Sequence, residues 1–175
     1  YWNTSAEKLR KRMLKEYTSF WNRARRKKAS KINLSFAEVS ALASIVEKEQ
    51  NIRKDERPII AGLYLNRIKQ NMKLESDPTL IFALQDFTIN RVLNKDKKVN
   101  SPYNTYKYKG LPPGPICIPS INSIDAVLNA SEHDYIFMCA KEDFSGYHNF
   151  ATNYRQHLVN ARKYQRMLNK KKILR

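Results

Sequence analysis

A chain of 175 residues is the size of one domain and long enough to bury a core. Its hydrophobic fraction of 42% suits a folded globular protein, and no apolar run is long enough to span a bilayer. The net charge of +17 points to nucleic acid, an anionic membrane surface or an anionic polymer, yet it sits mainly at the two ends, which argues against a shaped nucleic-acid groove.

The chain opens at Tyr1 without a methionine and shows no signal peptide, so a targeting segment is expected upstream. Residues 5–29 are predicted to form a basic helix. Leu9, Met13, Tyr17, Phe20 and Ala24 make its apolar stripe, widened by Trp21. Such a helix can lie on a membrane or a phosphate backbone, but a solvated face over a packed stripe is the favoured reading.

Residues 35–51 read as the central helix. Ser35 and Glu38 have capping-box spacing, and Leu34 and Val39 are placed for a hydrophobic staple. Leu42, Ile45 and Val46 form the core stripe, and the i+7 position on it is Glu49. At about 100° per residue, Glu49 falls within roughly 20° of Leu42, while Glu47 points about 140° away. An acid on the apolar face loses hydration, its pKa rises, and it can stay protonated as a general acid. The alternative is that the helix ends there and Glu49 turns out to water.

A second helix is predicted over 55–71, with Ala61, Tyr64, Leu65, Ile68 and Met72 at helical spacing and Asn66 and Arg67 on the surface or in a cleft. Asp77 and Pro78 predict the N-cap and first position of a third helix. A short helix is expected at 89–93. The prolines at 112, 113, 115 and 119, with Gly110 and Gly114, prescribe a stiff extended loop beside the tyrosines of 101–108. A further helix is predicted at 123–130, strands at 135–140 and 148–151, and a long basic helix over 154–172 with Leu158, Ala161 and Leu168 inward.

The chemistry these residues allow is narrow. There is no Gly-rich phosphate loop, no nucleophile-elbow serine and no Cys-plus-His signature. Cys117 and Cys139 match no metal spacing, and His148 has no second histidine at ligand spacing, so neither a metal nor a cofactor is expected. Carboxylates remain, and glycoside cleavage is a reaction that carboxylates run. Glu75 and Asp77 are possible second carboxylates.

ALASIVEKE at 41–49, LNRI at 65–68, SDPT at 76–79, PYNTY at 102–106, GLPPGPI at 110–116 and Gly146-x-His148-x-Phe150 occur in one order. In these motifs the chain, from about Leu34 to Tyr164, resembles the catalytic domain of the MltG-type (YceG-like) endolytic murein transglycosylases. The resemblance implies cleavage of the β-1,4 bond between N-acetylmuramic acid and N-acetylglucosamine without water, the muramyl 6-hydroxyl closing a 1,6-anhydro end. It implies Glu49 as catalytic acid, donating a proton and later taking one back. It implies Ser76, Asp77, Tyr103, Asn104, Thr105, Tyr106 and His148 as lining of the glycan cleft, Asn104 toward a sugar acetamido group. Glu75 departs from the family, where an uncharged glutamine can stand; it could raise the pKa of Glu49 or face solvent.

The resemblance further implies an inner-membrane protein with a single N-terminal anchor and a LysM-like domain upstream, neither of them in this chain, and a catalytic domain on the periplasmic side. Its partners would be peptidoglycan glycan strands and the penicillin-binding synthases. The expected architecture is α+β, helices around a small antiparallel sheet with the catalytic glutamate at the end of a core helix. Residues 1–31 are expected as a basic helical lead-in and 32–175 as the catalytic domain. The rivals are a non-catalytic cell-wall or synthase-binding scaffold, and a basic nucleic-acid-binding module.

Overall fold

The computed structural model describes residues 3–89 and 92–171. Among them the α-helices are α1 (Ala6–Phe20), α2 (Arg23–Lys31), α3 (Phe36–Glu49), α4 (Arg57–Lys69), α5 (Asp77–Leu84), α6 (Ile121–Leu128) and α7 (Tyr154–Lys170). Strands β1 (Phe137–Ala140) and β2 (His148–Ala151) pair antiparallel, with Phe137 opposite Ala151 and Ala140 opposite His148. The expected α+β class therefore stands: helices surround one small antiparallel sheet.

α3 is the spine. Its capping box forms as the Ser35–Glu38 spacing requires, the Glu38 N–H donating to Ser35 Oγ and the Ser35 N–H to Glu38 Oε2. Val39 and every residue from Ala41 to Val46 are buried. A helix apolar on all sides needs cover on all sides. α2, α4, α5 and α6 supply it, and Trp21 stacks on Phe36 with ring centroids 4.5 Å apart. The proline-rich loop is pinned to the same helix, where Ser44 Oγ accepts from the Ile116 N–H at 2.9 Å.

Several boundaries differ from the sequence expectation. The basic stretch 5–29 is two helices, not one, because it breaks at Trp21 and Asn22. Trp21 goes into the core, Asn22 caps α2 by accepting from the Arg25 N–H, and the Arg25 and Arg26 side chains take the last free carbonyls of α1 at Phe20 and Trp21. The helix expected at 55–71 starts as a 3-10 turn at Lys54–Glu56 before α4. α5 has Ser76, not Asp77, as its N-cap, so Asp77 is its first residue. α6 begins two residues early, behind a Ser120 cap. Around 89–93 the described positions form no helix, Asn90 and Arg91 lying outside the described residues; a 3-10 turn forms instead at Asp96–Lys98. β1 is shorter than expected, and position 172 of the last helix also lies outside the described residues.

Two contacts set the frame for the site. α7 packs across β1 and β2, backing the hairpin. At Gly62 on α4 the segment leading to β1 crosses so closely that a Cβ would lie 2.3 Å from the Ser131 carbonyl oxygen and 2.8 Å from His133 Nε2. No helix among the described residues is long and apolar enough to cross a membrane.

Candidate active site

Glu49 is the last residue of α3 and arrives on the same face as buried Leu42 and Ile45. The carboxyl group does not swing out to water. Its Oε1 accepts from the Tyr64 hydroxyl of α4 at 2.7 Å and from Ser76 Oγ at the start of α5 at 2.6 Å. No described residue hydrogen-bonds Oε2, which stays open to a cavity of about 350 Å³. Glu49 keeps some surface toward that cavity, yet enough protein surrounds the carboxyl for burial to be the largest influence on its proton. Burial raises its pKa, the Ser76 and Tyr64 hydroxyls lower it, the Asp77 carboxylate raises it and His148 lowers it; the net direction is upward. With both hydroxyls on Oε1, the proton belongs on Oε2, facing the cavity.

The neighbours are set to stay protonated donors. Burial first, then the Glu49 charge, holds the Tyr64 phenol far above its ordinary range. Burial and the bond from its hydroxyl to Asp77 Oδ1, at 2.5 Å, do the same for Tyr106. Asp77 thus serves as an acceptor for Tyr106, and a side-chain helix cap is not its role. Glu75 has a left-handed backbone (φ 54°) and an ion pair with Arg67 Nη2 at 2.6 Å. The Asp77 carboxylate is among the main influences that raise the pKa of Glu49.

The cavity brings together Glu49, Glu75, Asp77, Tyr106 and His148; Ser76, itself buried, does not line it and meets the site only through its bond to Glu49. The cavity does not take in Tyr103, Asn104 or Thr105. Asn104 is fully buried and has no capacity left for a sugar: its Nδ2 donates to the Lys97 and Val99 carbonyls, and its Oδ1 accepts from the Tyr106 and Lys107 N–H groups. Thr105 Oγ1 accepts from the Ser76 N–H at 3.0 Å and lies 2.8 Å from Thr79 Oγ1. Tyr103 packs on Phe82 with ring centroids 4.7 Å apart. These three hold the loop against α5 and so position Ser76 and Tyr106.

Glu47 points away from the cavity, as its helical phase predicts. It accepts from the Ser120 N–H and Ser123 Oγ, both at 2.7 Å, at the start of α6. Burial works to raise its pKa, but those bonds and Arg57 outweigh it and hold the carboxyl low.

Sequence reasoning missed Tyr64, Gln50, Glu56 and His157. Tyr64 sits in the α4 stripe, where its spacing reads as core. Glu56 Oε2 lies 2.9 Å from His148 Nδ1 and accepts from Gln50 Nε2 at 2.7 Å. His157 stacks on Phe137 across the cavity, and burial, followed by Arg67, pushes its pKa down. A second cavity of about 310 Å³ shares Glu49, Ala140 and His148 with the first and is walled by Phe144, Tyr147 and Tyr164. Among the described residues no group of three acid, histidine or cysteine side chains could hold a metal ion.

The chain is 36% identical over 141 residues to an endolytic murein transglycosylase of Bacillus subtilis, covering 81% of this chain and 38% of that protein. It is 34% identical over 112 residues to one of Streptococcus pneumoniae, covering 62% and 20% respectively. The crystal structure of a YceG-like protein from Listeria monocytogenes superposes with a TM-score of 0.73 at 32% identity, covering 89% of this chain and 49% of that one. The chain thus spans less than half the length of each of these proteins. The sequence profile of the YceG-like family matches residues 1–163, and the chain belongs to that family.

Proposed function

We propose that this domain is a lytic transglycosylase that cuts peptidoglycan glycan strands between N-acetylmuramic acid and N-acetylglucosamine. One observation carries the reading: a carboxyl group with raised pKa, fixed by two hydroxyls on one oxygen and presenting the other to a polar cavity. Glu49 gives its proton to the leaving glycosidic oxygen as positive charge builds at the anomeric carbon. The muramyl 6-hydroxyl closes onto that carbon and leaves a 1,6-anhydro end. The proton it releases restores the acid by the end of the cycle, so no water is consumed.

Tyr106, Asp77, Glu75 and His148 supply polar groups along the cavity for sugar hydroxyls, with Ser76 and Tyr64 fixing the acid. We place the catalytic domain at 32–175, with 1–31 as a basic helical lead-in anchored through Trp21 and Ala29 in the core. An upstream anchor in the bacterial inner membrane, an extracytoplasmic cleft and a penicillin-binding synthase as partner belong to the same proposal.

The test is a digest of purified sacculi by the native protein and by Glu49→Gln, read by mass spectrometry. Anhydromuramyl ends from the native protein, reduced about 10²-fold or more in the variant, are expected for loss of a general acid. Reducing ends would mean hydrolysis and would direct attention to Glu75 and Asp77. Binding to sacculi without any product would favour the scaffold reading.

A further inference from the structure

Glu56 is a buried acid, 5% exposed, that the proton donation by Glu49 does not use. Both its oxygens hold residue 148. Oε1 accepts from the His148 N–H at 2.9 Å, and Oε2 sits 2.9 Å from the ring Nδ1. A carboxylate beside one ring nitrogen sets the tautomer: Nδ1 carries hydrogen toward Glu56, and Nε2 is left as the acceptor. No described residue hydrogen-bonds Nε2, which stays accessible where His148 lines both cavities.

The ring is also fixed relative to the acid. Gln50, the residue after Glu49, spans from Glu56 Oε2 to the Gly146 carbonyl through its Nε2, at 2.7 and 2.9 Å. Its Oε1 accepts from the Ile52 and Arg53 N–H groups, closing the turn behind α3. Arg57 Nε donates to the Gln50 carbonyl at 2.9 Å. The turn that ends the helix at Glu49 therefore also carries the support of His148.

Resting on the transglycosylase reading, we propose that His148 is the base of the reaction and Glu56 its positioning residue. Glu49 gives its proton to the leaving oxygen as that bond breaks and positive charge builds at the anomeric carbon. The 6-hydroxyl then closes on that carbon from the face just vacated, and His148 Nε2 takes its proton. The bond from the 6-oxygen to the anomeric carbon forms, the bond from that carbon to the leaving oxygen breaks, and no atom changes oxidation state. The products are a glutamate anion and an imidazolium, opposite charges in one cleft, with the Glu56 carboxylate against the imidazolium as in acid–histidine catalytic pairs. His148 and Glu49 line the same two cavities, so both groups face one bound strand. Return of the proton from Nε2 to Glu49, through cavity water, resets both groups.

Glu56 also clamps the hairpin, so the test must separate chemistry from architecture. His148→Asn keeps an N–H for Glu56 at the Nδ1 position and removes Nε2. His148→Ala opens room for free imidazole. Expected in the sacculus digest are a loss of about 10²–10⁴-fold in the rate of anhydro-end formation for His148→Asn with an unchanged melting curve, and partial recovery of His148→Ala by added imidazole. Glu56→Gln is expected to lose less. His148→Asn at the native rate would overturn the base assignment, and so would a His148→Ala protein that stays folded and gains nothing from imidazole. Absence of anhydro ends from the native protein would strike the transglycosylase reading itself, and the base with it.

Discussion

Two hydroxyls converge on one oxygen of Glu49, and both pull in the direction opposite to burial. A hydrogen bond to the ionised carboxylate favours ionisation, so the Tyr64 and Ser76 bonds hold the pKa below where burial alone would put it. Removing one of them should therefore move the pKa further up. In Tyr64→Phe, the Glu49 carboxyl carbon followed by NMR across pH should titrate at a higher pH than in the native protein. A downward movement would mean that the Tyr64 hydroxyl favours the protonated acid and not the carboxylate. The place of Glu49 on the core face was legible in the sequence, because seven residues is close to two turns and Leu42 fixes the phase; whether the carboxyl stayed in or turned out to water was not. Nor were its partners. Tyr64 keeps the spacing of a core residue and is one, and only its hydroxyl reaches the site. Glu56 and Gln50 lie beyond the helix end, where no periodicity says which way a side chain points.

Elements matter here through the places where backbones meet. Gly62 has no room for a Cβ, and the nearest atom is a carbonyl oxygen of Ser131, whose N–H is itself bonded to the Pro58 carbonyl at 3.0 Å. Gly62→Ala gains about 1 kcal/mol of helix propensity, but overpacking against fixed backbone costs about 1–3 kcal/mol. The clash should win, lowering the thermal midpoint by a few degrees in a calorimetric scan. A rise would show that the segment entering β1 can shift freely. Capping signals read well at this scale: the Ser35 box is present as spelled, and the α5 start is displaced by one residue. The break at Trp21 was not read, since the apolar spacing of Tyr17, Phe20 and Ala24 runs on through it, and it is the burial of the Trp21 ring in the core that goes with the turn. Asn104 shows the same limit. Its type suits sugar binding, and four backbone bonds within its own loop decide otherwise.

At the scale of the molecule the charge is divided sharply. Positions 1–31 carry eleven basic and two acidic residues, positions 154–175 carry eight basic and none acidic, and the stretch between is balanced at fourteen of each. The two end segments therefore account for all of the net charge, while the stretch that contributes most of the cleft is neutral overall. Exposed charges more than about 8 Å from an anion are largely screened at physiological salt. Raising salt should then weaken binding to sacculi, seen as a higher KM, and leave kcat nearly unchanged. Unchanged binding would detach the charge from the wall polymer. The balance of the middle stretch also explains why composition alone misleads: an average over the chain reports its ends.

The two cavities that share Glu49 and His148 bear on what happens to a long polymer. Where two cavities meet at the proposed acid, neighbouring units of a strand can sit in both at once, and an internal stretch can be seated as readily as a tip. For strands of the proposed kind, scission would fall at scattered interior positions, so average length would drop early while few disaccharides appeared. Such an enzyme trims a distribution; it does not consume strands from their ends.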